Sequence, residues 1–263
     1  MTNQRNGRHE KADLAPASGL CPTVICQACQ AVALAGLEAM CAFEPLMRRK
    51  FVAAGDPITR LPGDQGGLTV VAEGVAMVQR ILSDGRRQVL AFRFPGDVAN
   101  FNGADDPRPQ TVALTDVALC RVDGKALADF GLAYPAAAEK LASLAGGEAS
   151  RLADHMMVLG RLTAAERVAA FLLECLMRGG RTTADGLAVT LPMTRDDIAD
   201  YLGINVETVS RQFSRLKAAK VIRLPKPGQV VVPSLTVLQA RVPFTPGAWD
   251  REGDPVSEPS FAA

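Results

Sequence analysis

The sequence predicts an α+β chain: a small antiparallel β-roll, then a long helix, then a compact helical domain closed by a two-stranded wing. Three observations predict it. Short apolar runs broken by glycine fill residues 46–125, the texture of several strands at regular spacing. Apolar residues then recur at steps of three and four from Pro135 to about Leu162, the period of a helix. Thr194–Ile222 reads as two short helices joined by a glycine turn. With 263 residues there is length for two modest domains, and the 48% hydrophobic share is that of a globular protein. The expected divisions are an N-terminal arm with cysteines and a helix (1–45), the roll (46–125), the long-helix region (126–163), the helical domain (164–243) and a loose tail (244–263).

Residues 1–20 are polar and aperiodic, carry His9, and are expected to be a disordered arm. They lack the apolar centre of a signal peptide. Cys21, Cys26 and Cys29 follow in CPTVICQAC, and a helical pattern then runs from Gln30 to Glu44, ending before Pro45. Leu34, Leu37 and Cys41 share a face of that helix by spacing, which reads Cys41 as a buried thiol. The apolar run Ala31–Phe43 is too short for a bilayer. No membrane association is expected, and a cytoplasmic location is the default expectation.

Within the roll, Glu73-Gly74 and Asp84-Gly85 read as hairpin turns, and the alternation Leu90, Phe92, Phe94 marks a half-buried strand. The glycine-rich Gly63–Gly67 opens no helix and reads as a turn rather than a phosphate loop. After a short helix, Pro135 suits the first turn of the long one. Along it Leu141, Leu144, Glu148, Leu152, His155, Leu159 and Leu162 form a seam for a partner helix. Gly146-Gly147 weakens that helix by about 1 kcal/mol per glycine, and Glu148 and His155 disfavour pairing on the seam.

Thr163 and Glu166 form a capping box that opens the helix RVAAFLLECLMR, which Gly179-Gly180 stops; Cys175 inside it belongs to the core. Thr194 with Asp197 approximates a second capping box. Ile198 and Leu202 share a face, Gly203 suits the left-handed closure of a helix, and Asn205 can cap the next. In that second helix Val206, Val209, Phe213 and Leu216 make an apolar stripe, while Glu207, Ser210, Arg211 and Ser214 make a polar one. Arg can bond twice to guanine, Glu can accept from the cytosine amine, and Ser can serve either role. These are base-reading groups near the start of a helix, where recognition helices meet the major groove. Beyond it, VIRL, the turn Pro225–Gly228 and QVVV make the wing.

The whole chain is nearly neutral, with 29 Lys plus Arg against 28 Asp plus Glu. From Ala165 to Pro243, however, 11 basic side chains face 7 acidic ones. Arg211, Arg215, Lys217, Lys220, Arg223 and Lys226 crowd its later part, a distribution suited to DNA phosphates.

ETVSR at Glu207–Arg211, preceded by DIADYLGI, resembles the recognition helix of the CRP/FNR family, in its FNR and FixK branch. The resemblance implies a sequence-specific, homodimeric transcription regulator that reads a TTGAT-like palindrome in double-stranded DNA. It implies base contacts by Glu207, Ser210 and Arg211, with Thr208 and Arg215 beside them. The roll becomes the jelly-roll sensor domain of the family, resembling a cyclic-nucleotide-binding fold. The long helix becomes the dimer helix, with Leu141, Leu144, Leu152, His155 and Leu159 at the interface. RNA polymerase is a further partner by analogy, through the loop Ser83–Arg87, although an exposed hairpin tip needs no such role.

In the oxygen-sensing members an N-terminal cysteine group and one strand cysteine hold a [4Fe-4S] cluster, and ALCRV matches the strand position. The ligand set this implies is Cys21, Cys26, Cys29 and Cys120, with Cys41 as substitute. The spacing departs from the family, because Cys41 follows Cys29 only after an eleven-residue gap. On one continuous helix that would be roughly 18 Å. Four thiolates also suit zinc, and unligated cysteines are the third reading. cAMP is not expected, since the segments Gly96-Asp97-Val98 and Gln110-Thr111 lack the phosphate-binding Arg of the cAMP-responsive relatives. Haem is weakly supported, because His9 lies in the N-terminal arm and His155 on the seam. No H-E-x-x-H, Walker A or G-x-S-x-G motif is present, so no enzyme is expected. Two alternatives stand beside this reading. One is a cluster-free FixK-like or nitric-oxide-responsive regulator, and the other an iron-sulfur or zinc-binding redox protein.

Overall fold

The structure, a computed structural model, describes residues 15–16, 27–58, 67–101 and 109–243. A two-residue strand β1 (Ala15–Pro16) pairs with the later strand that starts at Arg48. Two short helices follow, α1 (Gln27–Ala33) and α2 (Leu37–Phe43), then a single turn of 3-10 helix at Glu44–Leu46. The single helix expected over Gln30–Glu44 is therefore broken. Gly36 adopts φ 119°, a backbone that helical residues do not take, and it rotates the second segment relative to the first. The stripe Leu34, Leu37, Cys41 is not one face: both leucines and Cys41 are exposed, while Ala28, Cys29, Ala31, Val32, Ala39 and Phe43 turn inward. Cys41 is thus not a core thiol, and the separation reckoned along one continuous helix does not apply.

The roll comprises β2 (Arg48–Val52), β3 (Leu68–Glu73), β4 (Ala76–Ile81), β5 (Arg87–Arg93), β6 (Val98–Phe101), β7 (Pro109–Ala113) and β8 (Val117–Val122). One sheet has the order β1-β2-β8-β3-β6 and the other β5-β4-β7, with antiparallel pairing throughout. Val52, Ile58, Val71, Ala76, Ala99, Ala113, Val117 and Leu119 fill the space between them. Asp84-Gly85 makes the β4–β5 hairpin as expected, with the Asp84 carboxylate accepting from the Arg86 amide at 3.1 Å. Glu73-Gly74 is a corner instead, because β3 and β4 belong to different sheets. Gly74 is required there: its φ is 83°, and any side chain would collide with the Asp116 carbonyl.

Helices α3 (Gly124–Ala133), capped by the Asp123 carboxylate, and α4 (Pro135–Arg161) lead away from the roll. Then come α5 (Ala164–Gly179), β9 (Arg181–Thr183), β10 (Gly186–Thr190), α6 (Arg195–Leu202), α7 (Val206–Ala218), β11 (Gln229–Val232) and α8 (Leu235–Gln239). The wing is a three-stranded sheet, β11-β10-β9, rather than the expected pair. VIRL contributes one bridge, Arg223 to Val231, and the partner of QVVV is β10.

One apolar core joins the roll to the helices. Met77, Val89, Phe92 and Phe94 from β4, β5 and the turn beyond pack with Val158 and Leu162, with the buried face of α5, and with Ile198, Leu202, Val209 and Phe213. Phe92 meets Phe171 at 5.9 Å and Tyr201 at 5.1 Å between ring centroids. Phe213→Ala should destabilise the helical domain by about 3–5 kcal/mol, the usual cost of emptying a buried aromatic site; chemical denaturation followed by circular dichroism measures it.

Candidate DNA-reading helix and sensor face

Local hydrogen bonds set the two-helix unit. The Thr194 hydroxyl accepts from the Asp197 amide at 3.1 Å, and the Asp197 carboxylate accepts from the Thr194 amide at 2.8 Å, so both start-of-helix donors are satisfied. Helix α6 ends at Gly203 in the left-handed conformation (φ 60°, ψ 39°). The Asn205 side chain then caps α7 by accepting from the Thr208 amide at 2.8 Å. On α7, Val209, Phe213 and Leu216 are buried, while Glu207, Ser210, Arg211, Ser214 and Arg215 are exposed and Thr208 is half-buried. The Arg211 guanidinium donates to the Thr208 hydroxyl at 3.0 Å, which lays it along the open face. Arg195, at the start of α6, stacks on the Phe213 ring 3.3 Å from its centroid. With Lys226 of the wing it lines a cleft of about 410 Å³.

The first reading helix docks on the roll through charge. Arg87 of β5 reaches Asp197 and Asp200 of α6, both at 2.7 Å, and the Gln88 side-chain Nε2 donates to the Asp200 backbone carbonyl at 2.6 Å. Asp97, from the Gly96-Asp97 segment compared above with the nucleotide-binding one, is buried and accepts from Arg178 of α5 and from the Phe94 amide. Arg178 also pairs with Glu174 at 2.6 Å, and Glu174 accepts from the Tyr201 hydroxyl at 2.8 Å. Burial, reinforced by Glu174, pushes the Tyr201 phenol well up. Burial likewise raises the Cys175 thiol, which keeps it protonated and unreactive.

Part of the expected seam on α4 packs within its own chain. Leu141 is buried within its own chain against the N-terminal helices, and Leu144 packs on the same cluster. Glu148 pairs with Arg93 and Arg151, so its place on the buried face is ionic rather than a defect in a seam. His155 stacks on Tyr201 with centroids 4.0 Å apart and planes 12° apart. Leu159 is half-buried and lies beside Gly203. Of the five interface residues expected, Leu152 alone is exposed, on a face it shares with Ala149, Met156 and Gly160. Within the single chain, Leu141, Leu144, Glu148 and His155 of that stripe have partners, and Leu152 stands exposed.

Cys120 on β8 and Cys29 on α1 are both buried and come to the same side of the five-stranded sheet. Cys120 stands opposite Arg49 and Val70, and Val70 belongs to the apolar cluster that contains Cys29. The Cys29 thiol lies 3.8 Å from the Met47 sulfur. Cys21 and Cys26 fall outside the described residues, and among the described residues no three potential metal ligands converge.

Comparison with known proteins accords with this architecture. Residues 166–241 match the model of the Crp-like helix-turn-helix domain, and residues 49–134 that of the cyclic nucleotide-binding domain. The nitrogen fixation regulation protein FixK of Azorhizobium caulinodans is 37% identical over 171 residues, which are 65% of this chain and 69% of that protein. The chain belongs to the CRP/FNR family. The transcriptional activator protein FnrL of Cereibacter sphaeroides is 29% identical over 231 residues, covering 85% of this chain and 91% of that one. The structure of FixK2 from Bradyrhizobium japonicum superposes with a TM-score of 0.68 at 32% identity, covering 76% of this chain and 98% of that one. As a CRP/FNR member with this reading domain, the protein is a DNA-binding transcription regulator.

Gln88, Arg178 and Asp200 receive no role from pattern or motif in the sequence, while Asp97 enters only through the nucleotide-segment comparison and Arg87 only as the end of the Ser83–Arg87 loop. One signal was there to use: Glu148 and His155 sit at buried-face positions of an amphipathic helix, where polar groups demand partners. Burial lowers the His155 pKa, Arg167 lowers it further, and Glu174 and the Tyr201 backbone oppose them. Neutral His155 is therefore the docked form. Its contribution is complete above the unfolded value of about 6.5 and is lost as pH falls toward the lower folded value. The thermal midpoint should fall on acidification below about pH 6.5, and His155→Gln should remove part of that slope, as scanning calorimetry across pH would measure.

Proposed function

We propose that the protein is a homodimeric, redox-responsive regulator that reads a TTGAT-like palindrome. The observation that carries the DNA-reading half is the division of α7: Val209, Phe213 and Leu216 hold it in the core while Glu207, Ser210 and Arg211 stand free on the opposite side. Thr208 supports Arg211 from below, and Arg215, with the wing, supplies charge for phosphates. The exposed Ala149, Leu152, Met156 and Gly160 face of α4 is the one proposed to meet the second subunit; small residues admit close approach and the larger two supply apolar area. Two-fold symmetry then sets the half-sites about one helical turn apart.

The sensing half rests on Cys29 and Cys120, which lie in two buried clusters linked by the pairing of Val70 with Cys120, the kind of shielded setting that suits thiolate-held iron and sulfur. Cys21 and Cys26 complete the proposed ligand set. When bound, a [4Fe-4S] cluster would supply a centre whose integrity depends on oxidants. The chain's own residues would tie that centre to β8 and α1, and α1 packs against α4. A second reading, a cluster-free regulator, is favoured by the exposure of Cys41, the proposed substitute ligand, on α2 away from that face. RNA polymerase remains a proposed partner at the hairpin tip Ser83–Arg86, since Arg87 is engaged with α6. No described helix is long and apolar enough to cross a membrane. A cytoplasmic site of action is the one proposed for a DNA reader.

Two measurements test this reading. Arg211→Ala should cost roughly 1–3 kcal/mol on a TTGAT palindrome and relax preference at its guanine; equal weakening on all duplexes in a mobility-shift titration would make Arg211 a phosphate contact. Protein purified without air should carry about four iron per chain with absorption that air bleaches. Cys120→Ser should abolish both while Cys175→Ser keeps them, and iron-free wild type that still binds the palindrome would establish the cluster-free reading.

A further inference from the structure

The carbonyl end of α6 is closed by side chains from outside the two-helix unit. A helix leaves its last carbonyls without internal partners. Here the Gly203 and Ile204 amides both donate to Ala199. The Leu202 carbonyl receives Arg167 of α5 at 2.8 Å, and the Asp200 carbonyl receives Gln88 of the roll at 2.6 Å. Next to Gln88, Arg87 spans two carboxylates three residues apart on one face of α6. Its Nε and one terminal nitrogen each hold an oxygen at 2.7 Å. One of those carboxylates, Asp197, is buried and is also the group that caps the start of α6. Two adjacent residues at the start of β5 thus touch both ends of the first reading helix.

We propose that Arg87, assisted by Gln88, is a positioning residue for DNA reading: it transmits the placement of the β4–β5 hairpin to α6 and thereby sets the angle at which α7 is presented. The docked face is that of Asp197, Asp200 and Tyr201, which leaves Glu207, Ser210 and Arg211 on α7 open to DNA. The planar fork of arginine is what the geometry requires, since a lysine ammonium reaches one carboxylate at a time. The bridge is partly shielded, with side-chain exposures of 30% for Arg87, 34% for Asp200 and 8% for Asp197, so salt weakens it less than a surface pair. This route from sensor to reader bypasses α4. It rests on membership of a DNA-binding family and is independent of the cluster.

The test is a charge exchange, using the full-length protein, a duplex carrying the TTGAT palindrome and a random duplex of equal length. Arg87→Asp and Asp200→Arg should each lower affinity for the palindrome about tenfold relative to wild type, and the double exchange should recover most of it. Amide hydrogen exchange of α6, measured without DNA, should rise in each single variant and fall back in the double. If either reversal fails to fold, Arg87→Lys and Gln88→Ala carry the test, each with faster exchange at α6. Wild-type exchange and affinity in the single variants, tighter DNA binding on breaking the bridge, or no recovery in the double would overturn the proposal. Should wild type not prefer the palindrome, the reading of the half-site fails, and the exchange data alone decide the role of Arg87.

Discussion

The aromatic contact between Phe92 on the sheet and Phe171 and Tyr201 on the helices is the constraint from which the rest of the molecule follows. It makes the roll and the reading domain share one apolar core, which runs from β5 through α5 to the buried stripe of α7. Helix α7 owes its orientation to that core: its apolar face has one place to go, and the polar face is left open by elimination. A reading helix held this way is fixed by residues that are far from it in sequence.

Around the shared core lies a layer of paired charge. Arg93 with Glu148, Arg178 with Asp97 and Glu174, and Arg87 with Asp197 and Asp200 join β5, α4, α5 and α6. The buried pairs among them, Arg93 with Glu148 and Arg178 with Asp97, add little net stability against apolar substitutes, yet removing one partner is costly because the other is stranded. Their effect is directional. Apolar surfaces can slide over one another, whereas a guanidinium between two carboxylates admits few placements. Desolvation lowers the Arg151 pKa to about 10, with nearby Arg178 adding to the shift.

What could be read from the sequence was local. The caps at Thr163, Thr194 and Asn205, the turn at Gly203 and the two stripes of α7 each depend on residues within about one helical turn, and all of them form. The errors arose where distant parts of the chain decide. Gly36 falls inside the helical pattern of Gln30–Glu44, but its backbone angle divides the segment and turns Leu34, Leu37 and Cys41 outward. The spacing along α4 marks an amphipathic helix without naming its partner, since burial against one's own chain and against a second copy leave the same spacing. Glu73-Gly74 marked a change of direction without saying that the chain was leaving one sheet for another.

The three-stranded wing bears on the order in which the chain can fold. Its central strand β10 pairs with the adjacent β9 at once, but its other edge must await β11 at Gln229–Val232, beyond both reading helices. A nascent chain emerging from the ribosome would therefore hold α6 and α7 beside an open strand edge until residue 232 is free. Synthesis that stops within the Pro225–Gly228 turn would leave both halves of the reading motif made and the sheet edge beside them unprotected, a truncated product suited to aggregation or proteolysis rather than to binding DNA.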